Sequence, residues 1–236
     1  MEGPRWRYRA GGTPPREMDV TMTTEYGTER VRRIWDRYAP RYDREMRFWE
    51  RLMFSGGRAW VCSQATGQVL EVAVGTGLNL PFYPPDVSVT GVELSPVMLD
   101  IARKRAADLG RDARLVEGDA QTLPFPDASF DTVVCTLGLC SISDHQAAIA
   151  QIHRVLRPGG QLLLLDHVAA GNCLLRAGQR VVELLTVRLA ADYQTRRPLP
   201  LLAEAGFVIT GSERSKAGIV ERLRAVKQGE IDPDGA

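Results

Sequence analysis

A Gly75-Thr76-Gly77 turn follows the apolar, β-branched run Val69-Leu70-Glu71-Val72-Ala73-Val74. Glycines lack a Cβ and reach unusual dihedrals, so such a turn lets the backbone approach a ligand closely. Eighteen positions beyond Gly75, a second run, Ser88-Val89-Thr90-Gly91-Val92, ends in Glu93. A carboxylate at the tip of a second strand accepts two hydrogen bonds from a ribose diol. A third run, Ala113 to Glu117, leads into Gly118-Asp119-Ala120-Gln121, a turn that sets another acid at a strand tip. Together these residues read as a nucleotide-type site at the carboxyl ends of parallel strands. They are not the dinucleotide fingerprint, because Leu80 stands where that motif needs its third glycine.

For proton transfer the chain offers His145, His153 and His167. His167 ends the fifth apolar run, near where an acceptor should lie, and is the best base candidate; its alternative role is to hold backbone by a hydrogen bond. His145 follows the fourth run beside Asp144, and His153 reads as a surface residue of a helix. Cys62, Cys135, Cys140 and Cys173 lack C-x-x-C spacing, so no metal site or redox pair is assigned.

The elements that must position these groups follow from periodicity. Steps of three and four from Val31 through Ile34, Trp35, Tyr38, Tyr42 and Met46 to Met53 predict one helical face, with Pro40 breaking it into two helices. Arginines from Arg30 to Arg58 read as a solvated face. A helix is expected from near Leu78. Another begins at Pro96, capped by Ser95 and stopped at Gly110, and a third runs from the Asp144 cap through Val155. Leu174 to Tyr193 and Leu201 to Ala205 read as helices, and Phe207 to Arg214 and Gly218 to Val226 as two closing strands.

At 236 residues, with 44% hydrophobic and 25% charged residues, the chain suits one globular domain. A net charge of +1 gives no global field for nucleic acid, which favours a small-molecule acceptor and no nucleic-acid partner. No apolar run reaches the roughly 18 residues of a membrane span, and the Arg-rich start lacks the core of a signal peptide. A cytoplasmic protein of undetermined oligomeric state is expected. Residues 1–24 read as a flexible leader, with Met18 and Met22 as alternative starts, 25–227 as one domain, and 228–236 as a flexible tail.

These motifs resemble the class I S-adenosylmethionine (SAM) methyltransferases. The run from Glu71 through Gly75-Thr76-Gly77 fits their first motif, with Ala73 and Val74 replacing the more usual Gly-Cys. Tyr38-Ala39-Pro40-Arg41-Tyr42-Asp43 resembles a segment that closes over the cofactor. Leu123-Pro124-Phe125-Pro126-Asp127-Ala128-Ser129-Phe130-Asp131 is a mark of the quinone and sterol methyltransferases, and Leu156-Arg157-Pro158-Gly159-Gly160 matches a further family turn. The phrases Val134 to Ile142 and Leu165 to Ala169 look like the thiol S-methyltransferases and their bacterial relatives.

The resemblance implies an α/β, Rossmann-like fold: a seven-stranded, mostly parallel sheet with helices on both faces. Residues 25–60 would form a helical lid, 67–168 the cofactor core, and 169–227 the acceptor-side helices and closing strands. The cofactor implied is SAM, with S-adenosylhomocysteine as product. From the first strand and the lid, the resemblance implies contacts through Tyr38, Glu71, Ala73, Gly75, Thr76, Gly77 and Asn79. From the second strand onward it implies Glu93, Leu94, Met98, Asp119, Ala120, Gln121, Thr136 and Leu137. His167, Tyr42 and His145 are the candidates at the reacting end. The expected activity is methyl transfer to a small apolar thiol, carbon or nitrogen acceptor, possible in secondary metabolism, enclosed between Tyr38–Met53 and Leu174–Arg197. The alternatives are non-methylating use of SAM, such as cyclisation, and a non-catalytic SAM-binding partner subunit.

Overall fold

The computed structural model describes residues 17–54 and 56–229, with side chains from residue 27. Short apolar runs form the strands β1 (Gln68–Val72), β2 (Ser88–Glu93), β3 (Ala113–Glu117), β4 (Phe130–Thr136) and β5 (Leu156–His167). Two further strands, β6 (Phe207–Ser215) and β7 (Val220–Lys227), complete one sheet in the order β3-β2-β1-β4-β5-β7-β6. β1 to β5 pair in parallel, while β7 runs antiparallel to both β5 and β6. The order reverses between β1 and β4. In open α/β sheets ligands bind in the crevice at such a switch point, beyond the carboxyl ends of the strands.

Alternation along the strands builds a core on each face. Leu162 and Leu164 pack with Val133, Cys135, Ile149 and Ile152 on one side. Leu163 and Leu165 pack with Val134, Val61, Cys62 and Tyr83 on the other. Strands covered on both faces need continuous apolar runs, which is why Leu162-Leu163-Leu164-Leu165 carries no polar break.

The helices are α1 (Glu17–Trp49), α2 (Gly57–Cys62), α3 (Pro96–Asp108), α4 (His145–Val155), α5 (Cys173–Ala190) and α6 (Pro198–Glu204). Ser95 caps α3 by accepting from Met98 N at 3.2 Å, and Pro96 opens it. Asp144 caps α4 through Gln146 N and Ala147 N. Both caps sit where the sequence predicts them.

Four expectations are corrected. Pro40 lies inside α1 without dividing it. One proline removes one helical hydrogen bond, and Trp35, Tyr38 and Tyr42 pack ring against ring across the site, with centroids 5.8–6.0 Å apart. The chain instead departs from α-geometry at the π-helical turn Glu50–Phe54 and at Gly56, where φ is 70°. The helix expected near Leu78 is a single 3-10 turn, Leu80–Phe82, because Pro81, Pro84 and Pro85 leave no room for more. The leader expected over residues 1–24 overlaps α1 from Glu17, so residues 17–24 are helical; residues 1–16 and the tail from residue 230 lie outside the described residues. Arg58, read as one of a solvated set, is buried.

Candidate functional site

Register fixes what meets at the carboxyl edge. Val72 of β1 is paired with Val92 of β2 and Cys135 of β4, and Glu93 with Glu117 of β3. The turn after β1, the tips of β2 and β3, and the end of β4 therefore open into one cavity of about 760 Å³, its mouth included. Ala73, Gly75, Thr76, Glu93, Leu94, Met98, Asp119, Ala120, Gln121, Thr136 and Leu137 all line it, as does Tyr42 from α1.

Two features show the cavity built to receive a ligand. Glu93 is buried and accepts from Gly75 N and Ser95 N, both at 2.9 Å, so its carboxylate is locked between the glycine turn and the start of α3. Burial raises its pKa and these amides oppose the rise. Asp119 accepts from Gln121 N at 2.9 Å and from the Gln121 amide, which fixes its side chain at the tip of β3. Strain is stored here as well. Ala73 and Leu137, neither a glycine, hold φ at 56° and 54° where β1 and β4 end. Ala73 stands where the related motif has glycine, and its left-handed backbone explains that preference.

α1 lies over the cavity and is tied down by its own carboxylates. Asp36 accepts from Ser95 Oγ at 2.6 Å, and Asp43 accepts from Thr76 Oγ1 at 2.6 Å and pairs with Arg105. Thr28, Val31 and Trp35 add to the lining. The resemblance implies a helical lid over residues 25–60, and the amphipathic period alone gives a face and not which of its residues reach the cavity.

Arg58 is the residue that reading missed. It opens α2, and its guanidinium donates to Asn79 Oδ1 at 2.9 Å and Thr136 Oγ1 at 2.8 Å and pairs with Glu50. Its Nη2 is buried without a hydrogen-bond partner, and Arg58 lines the cavity. A buried guanidinium nitrogen left unpaired is costly, and a carboxylate in the cavity would satisfy it. No local pattern singles out Arg58 from the arginines before it.

Four expected cofactor residues stand behind the lining. Glu71 accepts from Asn79 Nδ2 at 2.8 Å and Tyr83 OH at 2.7 Å; burial pushes its carboxyl up to about 7 against the pull of Tyr83, Arg58 and Asn79. Asn79 thereby links Glu71 to Arg58 and Thr136. Gly77 serves packing, since a Cβ there would meet Leu80 Cδ1 at 2.9 Å and Ala102 at 3.3 Å. Tyr38 turns its hydroxyl to Glu45. These residues shape the cavity from the second layer.

Neither His145 nor His167 lines the cavity. His145 opens α4. His167 belongs to a separate cluster in which Nε2 lies 2.8 Å from Asp192 Oδ1, and Cys140, His167 and Asp192 bring ligand-type atoms within 4.8 Å of one another. Asp166 accepts there from His167 N and Cys140 N. Burial alone would lower the His167 pKa, but the Asp192 hydrogen bond and the charges of Asp166 and Asp192 outweigh it and push it up to about 9. At neutral pH the ring is therefore an ion-pair partner and not a free base. The folded chain holds a proton that the unfolded chain, at the ordinary 6.5, has released. This contribution to stability is complete below about pH 6.5 and is lost as pH rises through about 9. The thermal midpoint should fall more between about pH 7 and pH 10 in the wild type than in His167→Gln; equal falls would remove the pair from the account.

Segment Leu174 to Arg197, expected to wall an acceptor pocket, supplies no residue to this cavity. Among the described residues no helix is long and apolar enough to cross a membrane.

Comparison with known proteins agrees with this geometry. Residues 70–164 match a methyltransferase domain family. The chain is 33% identical to a demethylmenaquinone methyltransferase of Thermus thermophilus over 187 residues, covering 73% of this chain and 84% of that protein. It is 38% identical to the Deinococcus radiodurans demethylmenaquinone methyltransferase over 143 residues, covering 58% of this chain and 59% of that protein's length. A Thermotoga maritima SAM-dependent methyltransferase shares the fold at a TM-score of 0.64 and 23% identity, over 83% of this chain and 99% of that one. With its sheet order, glycine turn and paired acids, the chain belongs to the class I SAM-dependent methyltransferases.

Proposed function

We propose that this protein methylates a ring carbon of a reduced, quinone-type acceptor held beside SAM in the cavity. The observation that carries the reading is that one cavity joins Glu93 and Asp119 to an apolar, aromatic lining from Val31, Trp35, Tyr42, Leu137 and Ile142. A flat apolar ring suits that lining. Two of the similar proteins named above are demethylmenaquinone methyltransferases.

When bound, SAM would supply a methyl group activated as a sulfonium: the ring carbon's electron pair would form the new C–C bond, S-adenosylhomocysteine would leave with the C–S pair, and the ring proton would then pass to water. The chain's part is positioning. Glu93 and Asp119 present carboxylates for a ribose diol and an adenine amino group, and the free Nη2 of Arg58 suits the amino-acid carboxylate. Burial raises the Tyr42 pKa, which keeps the phenol protonated and makes it a hydrogen-bond donor to an acceptor oxygen and not a base. An electron-rich ring supplies its own nucleophile, so alignment and exclusion of water carry the rate, with alignment worth about 7–11 kcal/mol.

Incubation with methyl-labelled SAM and either a reduced naphthoquinone lacking one ring methyl or an alkyl thiol tests this. Label on a ring carbon is expected. Label on the thiol alone would overturn the carbon-acceptor reading, and SAM binding without transfer would favour a non-methylating use. His167→Ala should keep turnover within about tenfold of wild type, since a general base contributes 10²–10⁴-fold.

A further inference from the structure

α5 is turned inside out. Its polar side faces the protein, where each group has a specific partner. Gln179 accepts from Ala170 N and donates to Val168 O and Gln194 O. Glu183 accepts from Thr195 N at 2.7 Å and Oγ1 at 2.9 Å, Thr186 donates to Asp192 O, and Arg176 donates to Ala170 O and Gly171 O. These bonds fix the rotation of the helix about its axis. The consequence is that Leu174, Val181, Val182, Leu184, Leu185 and Leu189 point outward, each 50–79% exposed.

A surface helix normally buries its apolar stripe and solvates its polar one. A stripe of leucine and valine running along about 27 Å of helix is far more than scattered surface hydrophobes, and such a patch marks an interaction site. The charges on the outward side are Arg180 and Arg188, while the only acid of α5, Glu183, is turned inward.

We infer that the outward face of α5 docks the protein on the surface of an anionic lipid bilayer. Leucines and valines enter the acyl boundary, and Arg180 and Arg188 pair with acidic headgroups, the arrangement of a helix lying in the plane of a membrane. Pairing with a second copy fits less well. A two-fold interface sets the same patch against itself, so it would bring four arginines together with no outward acid on α5 to answer them. The inference concerns a surface outside the cavity and does not depend on the identity of the acceptor.

Flotation of the full chain with vesicles of phosphatidylcholine, with and without phosphatidylglycerol, tests it. The wild type should float with the anionic vesicles, and added salt should release part of it. Leu184→Glu should lower vesicle partitioning by about tenfold or more, the scale of one leucine withdrawn from an apolar phase. Arg180→Glu with Arg188→Glu should remove the preference for anionic over neutral vesicles. Calorimetric affinity for S-adenosylhomocysteine should stay unchanged in all variants, which keeps a folding defect apart from a docking defect. A wild type that floats with neither vesicle would overturn the inference. So would a wild-type dimer that Leu184→Glu converts to monomer.

Discussion

Gly75→Val should abolish cofactor binding in a chain that still folds. The backbone at Gly75 holds φ at 57°, a region in which a β-branched residue is strained. The space itself is open toward the protein, since an added Cβ meets nothing nearer than Met98 Sδ at 3.9 Å. The valine methyls would therefore occupy the cavity, where a ligand and the turn's amides must meet. Strain of about 1–3 kcal/mol lowers stability without unfolding a domain of this size. Thermal melting should show a cooperative transition, and calorimetry should show no heat with S-adenosylhomocysteine. Gly77→Val is the contrasting case, because its clash is with Leu80 and Ala102 and its loss should be one of stability. If Gly75→Val bound the ligand as the wild type does, the cofactor would have to lie elsewhere.

Arg58→Leu should damage both stability and binding. The guanidinium holds the π-helical turn through Glu50, the end of β4 through Thr136, and the turn after β1 through Asn79. Leucine would leave Asn79 Oδ1 without that donor and take the nearest cation from Glu71, which is 1% exposed. Breaking a buried charged network of this kind costs roughly 2–5 kcal/mol, which urea denaturation measures directly. Arg58→Lys separates the roles. Its charge persists but the planar fork is lost, so stability should recover more than affinity for S-adenosylhomocysteine. Equal recovery of both would reduce Arg58 to a bracing residue.

Much of this was legible in the sequence because the cofactor edge is built from local signals. A strand that ends in glycine or an acid places its functional group within one or two residues of the pattern that identifies it, and Gly75, Glu93 and Asp119 all line the cavity. The caps at Ser95 and Asp144 were readable for the same reason. What was not legible depends on direction in space. Arg58 differs from neighbouring arginines only in being turned inward. His167 ends its strand at the expected height, but its ring points to Asp192. The period of α5 shows an apolar stripe, and periodicity alone assigns that stripe to a core. Only the hydrogen bonds of Gln179, Glu183 and Thr186 show that it faces outward.

The most direct measurement of the central claim is a calorimetric titration of S-adenosylhomocysteine into the wild type and Glu93→Ala. Glu93 is held by Gly75 N and Ser95 N at the tip of β2 with its carboxylate on the cavity, so it should carry the ribose contact. The wild type should bind one equivalent, and the variant should bind more weakly by roughly 1.5–3 kcal/mol, the scale of a hydrogen bond to a charged group. No binding by the folded wild type, or the same affinity in both proteins, would contradict the account.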